Sequence, residues 1–410
     1  MRATTLLSRI IDIKFTRVIA LDFDEDGLLV DVAPASRSPR CSICARAVAK
    51  AYDKRERRWR HLDLAGMKLE FRYMQRRVDC RECGVVVEMV PWAETGSWFT
   101  REFEQTVAYV AQQAAKTVVS ALMRVAWPTV GAIVQRVINR MGARDRLEGL
   151  THIGIDELSY RRHHEYVTIV IDHRTARVVW AAPGKNANTL RAFFQALGAE
   201  RTAKLEAVTI DMSGAYIKAV TEASPQAQII FDKFHVQRLA HDALDAVRRD
   251  EMRAAETTEQ RHALKHSRFA LQKNPWNLNG IEESKVTEVQ RANKRLFRAY
   301  LLKEGLAEIL SRINPKRAKC KLLEWVSWAV RSKLKPFVRV GRTIRKHLSG
   351  IVAYTAMGFT NARTEGLNGK ARTITRRSYG LHSAQSLIAM LFLCCSGLTL
   401  IPVHKVPCTH

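Results

Sequence analysis

Residues 151–159 read THIGIDELS, and this stretch decides the fold. Its apolar Ile153 and Ile155 predict a buried strand, and Gly154 between them leaves room for a close neighbour. The strand is expected to end on Asp156 and Glu157. Two acids where a buried strand meets the surface are costly unless a cation or hydrogen bonds offset them. The pattern returns at 207–214 (AVTIDMSG), where Asp211 closes another β-rich run. A third acid, Glu365, stands in 361–372 (NARTEGLNGKAR), on a basic, helix-prone background. Two strand-end aspartates and one helical glutamate can hold two divalent cations, Mg²⁺ or Mn²⁺, for phosphodiester chemistry. The competing reading makes Asp156 and Asp211 strand-end capping acids and Glu365 a helix surface acid.

Outward from that stretch, 153–155, 166–171 and 178–182 predict three antiparallel strands, with a basic turn (Arg161, Arg162, His163, His164) between the first two. A helix over 189–197, a strand over 205–210, a helix over 213–221 and a strand over 228–231, ending at Asp232, follow. Three antiparallel strands, a helix, then parallel strands alternating with helices is the order of an RNase H-like domain. In it Asp156 and Asp211 end neighbouring strands along one edge of the sheet. A long helix over 234–249 leads into 253–345, which is helix-rich, basic and broken at Asn274-Pro275. It reads as an all-helical insertion before the last core helix. Its Trp276, Trp325 and Trp328 could stack on an extruded base or pack the core.

Residues 1–95 predict a small β-rich module. Cys41-Ser-Ile-Cys44 and Cys80-Arg-Glu-Cys83 are two CxxC knuckles, and two knuckles complete a tetrahedral structural Zn²⁺ site of the ribbon type. Between them Lys54, Arg55, Arg57, Arg58 and Arg60, with Tyr52 and Trp59, could lie along phosphates or form a solvated face. Residues 96–148 switch to helical period, with Phe103, Val107, Val110 and Ala114 on one stripe. A second helix over 117–125 breaks at Trp127-Pro128, and Thr129 is expected to cap a third, from which Gln135, Arg136 and Arg140 could point outward. That is a helix-turn-helix plan, although Ala126-Trp127-Pro128 stands where a glycine is more usual. A charged linker over 143–148 leads into the central domain, and the tail after Gly397, with Pro402 and Pro407, is expected to be loosely held.

The fold class expected is therefore α/β: an RNase H-like catalytic core (149–252 and 346–397) interrupted by a helical insertion (253–345), preceded by a zinc ribbon (1–95) and a helix-turn-helix (96–148), with a tail (398–410). The 67 Lys+Arg against 40 Asp+Glu give a net charge of +27, which favours a polyanion partner. No secretory signal or membrane span is expected: 387–403 is interrupted by Gly397 and Pro402 and reads as a buried helix followed by a tail. The remaining cysteines (Cys320, Cys394, Cys395, Cys408) do not form a secreted disulfide framework.

IGIDE at 153–157, TIDMSG at 209–214, DKFHV at 232–236 and NARTEGLNGKARTITRRSYG at 361–380 together resemble the DDE transposases of the IS-L-three group of bacterial insertion sequences. Members of that group also carry an N-terminal zinc-binding region and a helix-turn-helix. The resemblance implies Asp156, Asp211 and Glu365 as the catalytic triad, holding two Mg²⁺ or Mn²⁺ ions. It implies that the Asp232-Lys-Phe-His235 run corresponds to the Asp/Cys-x-x-His element of relatives with a helical insertion. Glu157 is expected to support the site rather than bind metal, and His235 to orient a carboxylate or contact DNA. Lys370, Arg372, Arg376 and Arg377, at helical spacing after Glu365, are candidate phosphate contacts, as are Arg57, Arg58, Gln135 and Arg136. Gly366 and Gly369 permit close approach of a backbone. The partners implied are double-stranded DNA, as terminal inverted repeats and as target, and further copies of the chain assembled on it, in a bacterial cytoplasm and on the nucleoid. A catalytically silent DNA-binding regulator and a structure-specific nuclease are the alternatives.

Overall fold

The computed structural model describes residues 2–49, 51–142, 145–161, 165–312, 315–357, 361–377 and 383–401. The chain divides into two compact units, one of residues 1–144 with 397–410 and one of residues 145–396.

The first unit begins with α1 (Ala3–Ile11), then β1 (Thr16–Asp24), β2 (Gly27–Pro34), β3 (Ala51–Leu64), β4 (Met67–Cys80) and β5 (Gly84–Val87). The sheet order is β1-β2-β4-β3, with β5 beside the end of β4. Its core is aromatic: Trp59, Phe71 and Trp92 are fully buried, with Trp59 and Trp92 edge to face at 5.5 Å. Trp59 and Arg60 therefore belong to the interior and not to a phosphate track. The first half of β3 is exposed, so its basic run is a strand with no apolar face for its first six residues.

Three helices complete this unit: α2 (Arg101–Gln113), α3 (Lys116–Met123) and α4 (Trp127–Met141). Thr100 caps α2 through Phe103 N–H at 3.3 Å. α4 starts two residues before the expected Thr129 cap, because Pro128 fits the first turn, where its missing N–H costs nothing. The turn residue in the left-handed region is Arg124, φ 52°, at the end of α3. It does the work expected of a glycine, held by hydrogen bonds to Asp63 and to the Gly66 carbonyl at 2.9 Å. Residues 398–401 are not loose. Leu400 is buried, and Gln112 Nε2 on α2 donates to the Leu398 carbonyl at 3.2 Å.

The second unit runs β6 (His152–Arg161), β7 (Glu165–Asp172), β8 (Arg177–Pro183), α5 (Ala187–Leu197), α6 (Ala199–Thr202), β9 (Ala207–Ile210), α7 (Gly214–Ala223), β10 (Gln228–Phe231) and α8 (Lys233–Ala254). Helices α9 (Thr258–His266), α10 (Arg268–Gln272), α11 (Gly280–Ala292), α12 (Lys294–Arg312), α13 (Pro315–Arg331), α14 (Lys335–Lys346), α15 (Leu348–Met357), α16 (Asn361–Arg377) and α17 (Ala384–Cys395) follow. The five-stranded sheet has the order β10-β9-β6-β7-β8. β6, β7 and β8 form the expected antiparallel meander, while β9 and β10 run parallel to β6. β6 is longer than the sequence suggests. It continues past Asp156 and Glu157 to Arg161, so these acids sit mid-strand, paired with Ile169 and Thr168 of β7. The basic turn at 162–164 lies outside the described residues.

Each face of the sheet carries its own core. Ile153, Ile155, Val208 and Ile210 pack with α5, α7 and α8, in a cluster that runs on through Leu296, Leu306 and Phe337 of the later helices. Leu158, Ile169 and Val178 pack on the opposite side with Leu367, Ala371 and Ile374 of α16 and Leu387 and Leu391 of α17. At Gly350 an added Cβ would meet the Phe231 ring at 2.6 Å, so α15 lies on β10 as closely as a helix can. Among the described residues no single helix is long and apolar enough to cross a membrane.

Candidate functional site

Strand alternation sets the acids. On β6, residues 154, 156 and 158 share one face and 153, 155 and 157 the other. Leu158 faces α16 and α17, so Asp156 lies on the face those helices cover. The β6–β9 register pairs Gly154 with Thr209. Continued two residues, it sets Asp156 beside Asp211, just past the end of β9. Both acids, with Gly154, Thr209, His173, Asp232 and His235, line one small pocket. Asp156 Oδ1 accepts the Glu157 N–H at 2.7 Å and Asp211 Oδ1 accepts the Ser213 N–H at 2.8 Å. Asp232 caps α8, accepting the Phe234 N–H at 3.0 Å.

Gly154 is where the close neighbour enters. A Cβ there would meet His173 Nε2 at 2.9 Å, and that nitrogen hydrogen-bonds Thr209 Oγ1 at 3.0 Å. Burial pushes the His173 imidazole below its usual value, which favours the neutral ring. Sequence reasoning missed His173. The available signal was its place just after β7, opposite the first acidic strand.

Glu157 faces away from Asp156. Burial pushes its carboxyl up, the buried Tyr216 hydroxyl on α7 hydrogen-bonds it, and the neighbouring Asp211 charge adds to the rise. Tyr216 Oη is also 3.0 Å from Thr168 Oγ1. Glu365 lies in α16, two residues before Leu367; its side chain lies outside the described residues. After it, Lys370, Arg372 and Arg376 are exposed and Arg377 is half-buried, while Leu367, Ala371 and Ile374 point inward. Among the described residues, and apart from its own helix backbone, nothing comes within 4 Å of a Cβ placed on Gly366 or Gly369.

Of the tryptophans, Trp325 is a core residue, its Nε1 donating to the Leu302 carbonyl at 2.8 Å, whereas Trp276 is exposed. On α4, Gln135 is exposed and bonded to Asn139 at 3.0 Å. Arg136 and Arg140 do not point outward. They converge on Glu104 of α2, which is fully buried, at 2.6 and 3.0 Å, and Ser97 Oγ donates to the same carboxylate at 2.7 Å. Arg57 is turned inward too. It bonds the Ser97 carbonyl at 2.9 Å and lies over the Trp59 and Trp98 rings. Arg58 is half-buried and held by Asp24 at 2.9 Å. Carboxylates and aromatic rings from distant parts of the chain claim these side chains, which spacing along the sequence does not register.

The Cys41, Cys44, Cys80 and Cys83 sulfurs all lie within 4.8 Å of one another, with Cys44 and Cys80 3.6 Å apart. A tetrahedral Zn²⁺ with bonds of about 2.3 Å requires S···S separations of about 3.8 Å, so the four sulfurs fit. The Cys44 and Ile43 amides of the first knuckle draw the Cys41 thiol down to about 7, toward the thiolate that binds metal. Glu88, fully buried behind the knuckles, is gripped by the Arg76 guanidinium at 2.7 Å and fastens β4 to the chain after β5.

A four-cysteine knuckle site, three helices in helix-turn-helix order and a pair of strand-borne acids together define a DNA-processing protein. Three family models match in the same order: the zinc-finger of the IS204/IS1001/IS1096/IS1165 transposases over 37–83, the helix-turn-helix domain of transposase family ISL3 over 88–138, and the transposase domain of that family over 153–391. The transposase of insertion sequence element IS1557 from Mycobacterium tuberculosis is 38% identical over 94% of this chain and 93% of its own length. That of IS1001 from Bordetella parapertussis is 26% identical over 86% of this chain and 88% of its own. The chain belongs to the ISL3 family of transposases. Its four cysteines are a structural zinc site, and its α2–α4 segment is a DNA-binding helix-turn-helix.

Proposed function

We infer that the chain cuts DNA at the ends of an insertion sequence and joins the freed 3′ hydroxyl to target DNA, using Asp156, Asp211 and Glu365. The carrying observation is that Asp156 and Asp211 come from parallel neighbours in matching register, on one face and in one pocket. Helix α16, which bears Glu365, packs on that face of β6 through Leu367. Meander, crossover helix and two parallel strands, with helices on both faces, support an RNase H-like core over 149–252 and 346–397, with 253–345 as a helical insertion.

Carboxylate oxygens are the donors that hard divalent cations take, so this donor set fits Mg²⁺ or Mn²⁺. When bound, two such ions supply an activated water and a stabilised leaving oxygen. Asp156, Asp211 and Glu365 would be the side chains that hold the two ions. Backbone amides of Glu157 and Ser213 orient the aspartates. Neutral His173, locked on Thr209, fixes the pocket wall without adding charge, and His235, which lines the same pocket, would orient a carboxylate or meet the scissile phosphate. Exposed Lys370, Arg372 and Arg376 would carry phosphates past the acids, with Arg377 beside them, and Gln135 would face DNA from α4. Arg57, Arg58 and Arg136 would serve indirectly, by fixing the surfaces beside the contacts. Further copies of the chain are expected to assemble on paired ends.

The test is cleavage and strand transfer on duplexes bearing the element's inverted repeats, with and without Mg²⁺, with Asp211→Asn as control. Joined products, lost in the control by at least about 10³-fold, are expected from removal of a metal ligand. Products cut and never joined would instead make the chain a nuclease, and a shift without cleavage would make it a regulator.

A further inference from the structure

Helix α14 carries a charge pattern that the fold does not use. From Trp325 to Thr364 the chain holds no Asp or Glu. Within that span Lys335, Arg339, Arg342 and Lys346 stand at i, i+4, i+7 and i+11, in one row along α14, with Arg345 beside them. All five are exposed, and among the described residues none of them is ion-paired. The helix cannot roll to hide them. Phe337, Val340 and Ile344 are buried on its opposite face, and a Cβ at Gly341 would meet Val330 and Ala329 of α13 at 3.2 and 3.3 Å. Nor does the row serve the helix. Like charges three and four residues apart destabilise it, and Lys335 stands in the first turn, where the helix dipole opposes a cation. An anion from outside offsets both. At the rise of an α-helix the row is about 16 Å long. Its Lys346 end leads to the edge of the acid pocket. His347, the next residue, packs edge-on against Phe231 at 5.0 Å, and Phe231 ends β10 immediately before Asp232, which lines that pocket.

We propose that the α14 row seats the phosphate backbone of the target DNA and leads it to the acid pocket. A DNA strand is itself a row of anions, about 3.4 Å of axis per charge, so a cationic row this long faces several of them at once. Cations on phosphates fix position without reading sequence. The element's ends are engaged by the DNA-binding helix-turn-helix of the first unit. The duplex left to be held at the acid site itself is the one that the freed end joins. The inference rests on the strand-transfer reading above and deepens it, by giving that second duplex a seat.

The test uses the full zinc-loaded chain and the double variant Arg339→Gln with Arg342→Gln, beside Arg339→Lys with Arg342→Lys, which keeps the charge. Glutamine and lysine are both good helix formers, so α14 is retained in each. Binding to a duplex without the inverted repeat is followed from about 50 to about 200 mM salt. The glutamine variant is expected to lower the slope of log K against log salt by about 1.8, so that the wild type loses about 12-fold more affinity across that range, while the lysine variant keeps the slope. Joining of a precut inverted-repeat end to a plasmid is expected to fall about tenfold further than cleavage at the repeat. An unchanged slope overturns the proposal, as does a fall that the lysine variant shares, which would mark a structural role. Cleavage and joining that fall together also overturn it, by placing the element's own end on α14. A wild type that binds with the expected slope but joins no ends overturns the strand-transfer reading, and the target assignment with it. The binding arm keeps that result apart from failure of α14 itself.

Discussion

Glu104 holds α4 to α2, and its removal has a calculable cost. The carboxylate is fully buried and accepts from Arg136, Arg140 and Ser97. Breaking a buried pair by deleting one partner costs about 3–5 kcal/mol, because the remaining charge is stranded. Here the two arginine side chains are 31% and 22% exposed and can regain some water, which favours the lower end, about 3 kcal/mol. Glu104→Ala is therefore expected to speed amide exchange of buried α2 and α4 residues such as Val107 and Val134 by about 150-fold. Native-state hydrogen exchange reads these amides separately from those of the acid-bearing unit, which should not change. Glu104→Gln, which keeps the shape and the Ser97 bond, should cost less. A rate change under fivefold in Glu104→Ala would refute the assignment of Glu104 as the clamp.

The remaining predictions concern metal, pH and packing. The protein is expected to hold one zinc per chain, measurable by atomic absorption, with Cys80→Ser losing it. Structural zinc contributes about 10 kcal/mol or more, comparable with a unit's whole margin, so the loss should unfold the knuckles and expose the surrounding β4–β5 amides. His61 is buried against Thr100 at 2.8 Å, and burial pushes its pKa down from 6.5 to about 4. The unfolded chain therefore takes up the proton first as pH falls below 6.5, and stability drops until about pH 4, by roughly 3 kcal/mol at about 1.4 kcal/mol per unit. Urea titrations of this unit should show that slope, and His61→Gln should flatten it. Gly154→Ala drives a methyl into His173, costs about 1–3 kcal/mol and should slow cleavage while leaving duplex binding intact, read by thermal unfolding, a cleavage time course and a gel shift.

The acid-bearing strands were legible because buried strands write their period plainly. Ile153, Ile155, Val208 and Ile210 gave the register that brings Asp156 toward Asp211, and the two CxxC pairs gave the zinc site outright. Other elements were hidden for physical reasons. β6 continues through Glu157, Ser159 and Arg161, whose polarity reads as a turn, because β7 pairs its backbone throughout. The outer half of β3 has no buried face, so alternation is absent there and only pairing with β4 reveals a strand. Arg57, Arg60 and Arg136 look like surface cations in sequence. Partners distant in the chain, namely Trp98, Asp63 and Glu104, draw them inward. No local pattern encodes such pairs.

The strap formed by residues 398–401 on α2 has a consequence for synthesis. These residues pack with a unit whose other parts precede residue 145, so the acid-bearing unit is in effect inserted into it. On the ribosome the DNA-binding unit lacks this strap until residues 398–401 have been translated, by which time the whole of residues 145–396 has been made and can fold. A chain interrupted before residue 398 would therefore lack the strap on α2, which makes closure of one unit wait on synthesis of the other.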